Sequence, residues 1–250
     1  MLIHAVKEVA ELASLAIGLY LLAALASHRV EAWRGAFRRR RLRVLATCAA
    51  LVVLAQVVEE VLEQGSAVLD EALLRAIRRA MPAALDGFFH ACTTTASAAF
   101  LVPAVCIGAG VLLARGRKRA ALQLGATTVL AGAATYLSKM AFARPRPALW
   151  DTQWYWGSSF PSGHTLAAAA IGTCLCLLVA HARLATRAAV VITAGCWIAL
   201  VGLSRLVLGV HWPTDVVAAA CAGLLVAVAV HGALWRWWPV KTKGSADVVR

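Results

Sequence analysis

Apolar stretches of helix length recur along this chain, and short charged blocks separate them. Seven lie at about 9–27, 44–62, 91–114, 120–138, 164–182, 188–204 and 213–235. About 20 apolar residues in a helix cross roughly 30 Å of hydrocarbon, so each stretch reads as a membrane span. Residues 66–81 break the pattern. Glu71, Arg75, Arg78 and Arg79 fall at i, i+4, i+7 and i+8, while Leu69, Leu73, Ile77 and Ala80 share another face. That spacing predicts an amphipathic helix along the outer interface, packed there or bordering a lateral entrance. Pro103 falls inside the third span, where neighbouring helices can satisfy the carbonyl it frees. The expected class is all-α, a polytopic transmembrane helix bundle.

The charged blocks orient the bundle. Arg29, Arg34, Arg38, Arg39, Arg40, Arg41 and Arg43 follow the first span, and Arg115, Arg117, Lys118 and Arg119 follow the third. Basic residues accumulate on the cytoplasmic side, which puts the N-terminus outside and the C-terminus in the cytoplasm. Of the 25 lysines and arginines, 17 then fall inside and 8 outside. Ala24-Leu25-Ala26 resembles a signal-peptidase site. The basic block follows the first span rather than preceding it, however, so this span reads as a retained helix. The chain divides into an N-terminal helix and basic cytoplasmic loop (1–43), a membrane domain (44–235) and a basic cytoplasmic tail (236–250). No repeat of fixed period is present. Trp150, Trp154, Tyr155 and Trp156 are expected at the outer interface, and Trp235, Trp237 and Trp238 at the inner one.

Composition agrees with lipid as the solvent. Hydrophobic residues make up 61% of the chain and charged ones 15%, with mean hydropathy +0.75, and a soluble domain of this size needs a more polar surface. The net charge of +13 does not point to nucleic acid, because it sits in blocks between spans and not along one face. All seven cysteines fall within or beside apolar spans, without CxxC or Cys/His ligand spacing. They read as small packing side chains, and neither disulfide nor zinc is expected. Glu59, Glu60 and Glu63 at the end of the second span read as solvated interfacial acids.

Three charged clusters remain, each at a predicted outer helix end. They are Lys139 through Arg146-Pro147, then Pro161-Ser162-Gly163-His164, then Ser204-Arg205 through His211 to Asp215. Ionisable residues at membrane helix ends are costly and mark function. Lys139, Arg146 and Arg205 supply cations, and the two arginines can grip phosphate oxygens in pairs. Ser162 and Gly163 precede a helix whose N-terminus offers free N–H groups and a positive dipole end, and Gly163 admits close backbone approach. His211 lies four residues before Asp215, with Pro213 in a position favoured at a helix start. If helical, that spacing lets the carboxylate take one imidazole nitrogen and leaves the other nucleophilic toward phosphorus. His164 can protonate a leaving oxygen. Surrounding cations lower its pKa and a bound phosphate dianion raises it, with the anion expected to prevail. His4, His28, His90, His181 and His231 lack such context and read as packing or interface residues.

Together these clusters closely resemble the three-part signature of the type 2 phosphatidic acid phosphatase superfamily: K-x6-RP, PSGH and SR-x5-H-x3-D. All three parts match without substitution, over about 139–215 by motif and about 44–235 by helix order. The resemblance implies a six-helix phosphatase core formed by spans two to seven, with the N-terminal helix additional. It implies a phosphohistidine on His211, oriented by Asp215, with His164 as acid. Lys139, Arg146, Ser162, Gly163 and Arg205 would contact phosphate. No metal or cofactor is implied, in line with the lack of a carboxylate cluster suited to Mg²⁺ or Ca²⁺. Arg144-Pro145 precedes Arg146-Pro147, but only Arg146 meets the spacing from Lys139. Arg144 is left as a supporting residue or a lipid-headgroup contact.

The resulting expectation is a hydrolase of a lipid phosphate or diphosphate at the outer face of a bacterial cytoplasmic membrane. Undecaprenyl diphosphate is favoured, or a broad specificity that includes phosphatidylglycerophosphate and phosphatidate. Lipid A phosphatase and lipid-diphosphate phosphotransferase are alternatives within the same chemistry. A transporter would need polar groups lining a path at mid-span, whereas the middle of spans three to seven lacks charges, and a silent scaffold need not keep every site residue. A soluble haloperoxidase relative is excluded by the spans. Oligomeric state is left open.

Overall fold

The computed structural model describes residues 2–28, 31–152 and 157–237. Among them are nine α-helices, a 3₁₀ turn and no strand. The helices are α1 (Leu2–His28), α2 (Glu31–Leu62), α3 (Ala67–Ala80), α4 (Asp86–Thr94), α5 (Ala98–Ala114), α6 (Lys118–Phe142), α7 (Gly163–Leu178), α8 (Leu184–Val207) and α9 (Pro213–Trp237). Trp154, Tyr155, Trp156 and Trp238, expected as interfacial anchors, lie outside the described residues.

Among the described residues, five helices are long and apolar enough to cross a membrane: α1 from Ala10, α2 from Arg40, α6, α8 and α9 to Leu234. The seven uniform spans expected from the pattern need two corrections. First, the third span is broken, with α4 and α5 meeting at a 43° bend. Pro103 does not cause it and lies well inside α5. The cause is the hydroxyl run just before. Thr94, Thr95 and Ser97 turn their side chains back onto the carbonyls of His90, Cys92 and Thr94, the local bonding that competes with helix continuation. Ser97 then accepts from the Phe100 N–H and starts α5 afresh. Second, α7 has only 16 residues, short for an independent span.

The short helix is the axis of the bundle. α6, α8 and α9 all pack on α7. Its Ala168, Ala170 and Cys174 are fully buried, because small side chains let neighbouring helices approach closely in a lipid-solvated bundle. The tightest approach is at Gly223 of α9, where an added Cβ would lie 2.5 Å from the Leu166 carbonyl oxygen. Large apolar side chains face outward instead, among them Leu22, Ile107, Leu137 and Ile192, as expected when the solvent is hydrocarbon.

The amphipathic helix is present as α3, but its inward stripe differs from the expected apolar face. Leu69 and Leu73 are exposed, while Asp70 and Leu74 are buried against the bundle, where α3 packs on α8 and α9. Glu71 and Arg75 form the anticipated i, i+4 pair on the outside. The basic residues from Arg34 to Arg43 are helical, since α2 already starts at Glu31.

Candidate active site

One end of the bundle gathers the C-terminus of α6, the N-terminus of α7, the C-terminus of α8 and the N-terminus of α9. That topology alone brings Lys139, Ser162, Gly163, His164, Arg205, His211 and Asp215 to the same end. The loop after α6 adds Arg146. Ala143 ends α6 in the left-handed region (φ 42°). The chain is then pinned by the Ser158 hydroxyl accepting from Arg144 N–H and by Ser159 N–H donating to the Arg144 carbonyl.

His211 is buried in the turn just before α9. It is therefore not on a shared helix with Asp215, as the four-residue spacing had suggested. Instead Asp215, in the first turn of α9, folds its carboxylate back over the helix start. There Oδ2 accepts from Trp212 N–H at 2.9 Å and stands 3.4 Å from His211 Nδ1. A proton on Nδ1 leaves Nε2 with its lone pair, and Arg146 Nη1 lies 3.3 Å from that nitrogen. Burial, and then the charges of Arg205 and Arg146, hold the pKa of His211 down to about 4 despite the opposing pull of Asp215. The ring is neutral at pH 7.

The cations converge on the two imidazoles. Arg205, His211, Lys139 and Arg146 all lie close enough to His164 to act on its charge. Arg146 also donates to the Val210 carbonyl, and Lys139 to the Ser158 carbonyl. Arg205 is fully buried, and its Nη1 donates to Thr93 Oγ1 of α4 at 2.7 Å. Ser162 is buried with its hydroxyl 3.0 Å from Thr165 Oγ1, so it is not engaged in capping α7. The first N–H groups of α7 thus face the same space with their dipole end positive. Gly163 is tight against α6, since a Cβ there would come within 3.0 Å of Thr135.

Two participants escaped the sequence reading, and one was left open. Arg144 is not a headgroup contact. It turns inward and bridges two buried carboxylates: Nη1 meets Asp215 Oδ1 at 2.6 Å and Nη2 meets Asp70 Oδ2 at 2.7 Å. Asp70 in turn accepts from the N–H and hydroxyl of Thr214. A continuous line of polar contacts therefore runs from α3 through Asp70, Arg144 and Asp215 to His211. Thr93 is the other unforeseen contact. Neither residue belongs to a charged cluster at a span end; the only sequence signal for Asp70 was its helical register with Leu74 on α3.

Three basic side chains, Lys139, Arg146 and Arg205, surround the two imidazoles, with Arg144 behind them paired to the Asp215 and Asp70 carboxylates, so the pocket is suited to an oxyanion. No group of three or more histidine, cysteine or acidic side chains able to hold a metal occurs among the described residues.

Residues 120–239 match the model of the PAP2 superfamily. Phosphatidylglycerophosphatase B of Bacillus subtilis is 32% identical over 170 residues, 65% of this chain and 82% of that protein. The chain belongs to the PAP2 superfamily. It is a PAP2-type membrane phosphatase, a phosphoric ester hydrolase. Two solved structures are similar. A transmembrane PAP2-type phosphatidylglycerolphosphate phosphatase from Bacillus subtilis superposes with TM-score 0.69 at 26% identity, covering 78% of this chain and 98% of that one. Aquifex aeolicus LpxE superposes with TM-score 0.54 at 27% identity, covering 66% and 95%. The PAP2 match runs from α6 to α9 and, with the loops between them, contains every motif residue.

Proposed function

We propose that this protein removes phosphate from a membrane lipid through a phosphohistidine on His211, at the outer face of a bacterial cytoplasmic membrane. The observation that carries the reading is the convergence of Lys139, Arg146, Arg205 and two imidazoles on one buried spot, with Asp215 on the Nδ1 side of His211. Phosphate oxygens sit among the cations and the α7 N-terminus, which stabilise charge as it moves in the transition state. His211 Nε2 attacks phosphorus; the N–P bond forms as the bond to the leaving oxygen breaks. His164 gives its proton to that oxygen. The bound phosphate dianion supplies the negative charge that keeps this proton on His164 beforehand. A water then attacks phosphorus, His164 takes its proton, and the N–P bond breaks to release inorganic phosphate and neutral His211.

Asp215 fixes the His211 tautomer and stabilises the imidazolium character that develops on it. Asp70 and Arg144 position Asp215. Without Arg144, two buried carboxylates would face each other across Thr214, at the cost of uncompensated buried charge.

Phosphatidylglycerophosphate ranks first as substrate, because the similar Bacillus subtilis phosphatase carries that activity in its name. An isoprenoid diphosphate such as undecaprenyl diphosphate offers the same terminal phosphate to the same cations. Purified protein assayed against both lipids and phosphatidate should release phosphate with EDTA present and be inhibited by vanadate. His211→Ala should abolish turnover. Activity that EDTA removes and Mg²⁺ restores would sink the metal-free mechanism, and full turnover in His211→Ala would sink the nucleophile.

A further inference from the structure

At the end of the bundle opposite the histidines, a cleft of about 570 Å³ opens between α2 and α8, floored by α7 and α9. Its volume is in the range of about 300–1,000 Å³ usual for small-molecule sites. The inner walls are apolar, with Leu177 from α7, Ile198 from α8 and Val228 from α9. Four arginines stand at one end only: Arg40, Arg41 and Arg43 at the start of the apolar part of α2, and Arg187 in the first turn of α8. Among the described residues, no acidic side chain lines it.

The shape comes from glycines. Gly172 lets Ile198 of α8 settle on α7, where a Cβ would come within 3.0 Å of it, whereas the space over Gly195 is empty to 4 Å. The result is a trough with hydrocarbon along its length and cations at its rim.

A molecule complementary to both parts is an amphiphile with an anionic head and an apolar tail. A soluble anion would leave the apolar walls uncovered, and a neutral lipid would bring no charge opposite to that of the rim. The chain's own tail has the wrong sign, since Lys241, Lys243 and Arg250 outnumber Asp247. Basic recesses between membrane helices on the cytoplasmic side are suited to anionic phospholipid heads.

We infer that this cleft binds an anionic phospholipid of the leaflet opposite the active site, its phosphate among the rim arginines and an acyl chain along Gly195. The site is distinct from the phosphate pocket, which lies at the other ends of α7, α8 and α9.

Native mass spectrometry of the full detergent-purified chain tests it, with vanadate present to fill the phosphate pocket. Phosphatidylglycerol and phosphatidylcholine of identical acyl chains are the probes. Phosphatidylglycerol should be retained preferentially. Each surface arginine removed should cost about fivefold in its retention, the equivalent of roughly 1 kcal/mol per basic residue. Arg41→Gln with Arg187→Gln should therefore bring it near the phosphatidylcholine level. Gly195→Phe, which fills the trough and leaves the charges, should weaken retention by a separate route. Phosphate release by these variants reports that they are folded. Equal retention of the two lipids, or unchanged retention in both variants, overturns the proposal. So does a dimer that only Gly195→Phe dissociates, because the occupant would then be a second copy. Because the readout is bound mass and not turnover, the result stands apart from the fate of the phosphohistidine mechanism.

Discussion

Asp70 reaches the catalytic end from α3, 74 residues before Arg144, and its own oxygens never approach the phosphate pocket. Its effect passes through Arg144 to the Asp215 carboxylate. Asp70→Asn keeps an acceptor for Thr214 but removes the charge that fixes the guanidinium fork. A small displacement of a catalytic group costs on the order of 10–100-fold, so kcat should fall by about that factor. KM should change little, because Lys139, Arg146 and Arg205 are untouched. Arg144→Lys keeps the charge without the two-pronged geometry and should lose nearly as much as Arg144→Gln. If both Asp70→Asn and Arg144→Gln retain wild-type kcat, the positioning role is wrong. A second consequence concerns pH. The pKa of His211 is depressed from about 6.5 to about 4, so the nucleophile stays neutral until the pH falls through about 4. The acid limb of kcat/KM, corrected for the titration of the substrate, should lie there and not near 6.5. The same shift acts on stability with a definite sign. Between about 6.5 and 4 the unfolded chain takes up a proton that the folded chain refuses, so acidification weakens the fold by up to about 1.4 kcal/mol per pH unit. Thermal unfolding measured from pH 7 to pH 5 should show a smaller loss of Tm in His211→Asn than in wild type. At this scale the sequence exposed what was chemically conspicuous. Charged groups at apolar helix ends have few structural reasons to be there, which made Lys139, Arg146, Arg205, His211 and Asp215 visible. Asp70 and Thr93 sit where a polar residue is unremarkable, and only the folded bundle gives them partners, Arg144 and Thr214 for Asp70 and Arg205 of α8 for Thr93.

Between elements, the decisive contact is that of α7 with α9, because it sets the separation of His164 from His211. Gly223 lies at its tightest point, with the Leu166 carbonyl oxygen and the Ala170 nitrogen where a side chain would begin. Both obstacles are backbone, which cannot turn aside as a flexible side chain can. Gly223→Ala should push the helices apart, lowering Tm and, through the histidines, lowering kcat. Gly195→Ala, whose added Cβ meets nothing within 4 Å, should leave both unchanged and serves as the control. A Gly223→Ala protein with wild-type kcat would show that the pocket tolerates a wider α7–α9 spacing. Span positions were legible because lipid demands continuous apolar length. The α4–α5 break was not, because a threonine-rich run in an apolar stretch is compatible with an unbroken helix. The hydroxyls acted against continuation here, and the break places Thr93 beside Arg205. Likewise, the period of α3 showed that it was amphipathic without showing that its buried stripe contains Asp70.

For the whole molecule, the functional reading depends on which compartment each end of the bundle meets. The phosphate pocket occupies one end. The turn between α7 and α8 with Arg183, the first turn of α8 with Arg187, and the α5–α6 junction with Arg115, Arg117 and Lys118 occupy the other. The retention of basic residues in the cytoplasm supports the proposal that the second end lies inside and the pocket outside. The assignment does not depend on α1, since it rests on blocks that flank α5 to α8. It is testable with single cysteines in a variant whose seven native cysteines are replaced. A membrane-impermeant maleimide added to intact cells should label Thr152→Cys in the exposed loop beside the pocket. It should label Ala182→Cys, in the exposed turn between α7 and α8, only after the membrane is opened. The reverse pattern would put the pocket in the cytoplasm and move its substrate to the inner leaflet. It would also place the arginine-rimmed cleft in the outer leaflet. Both sites sit at fixed ends of the same helices, so one labelling experiment orients them together.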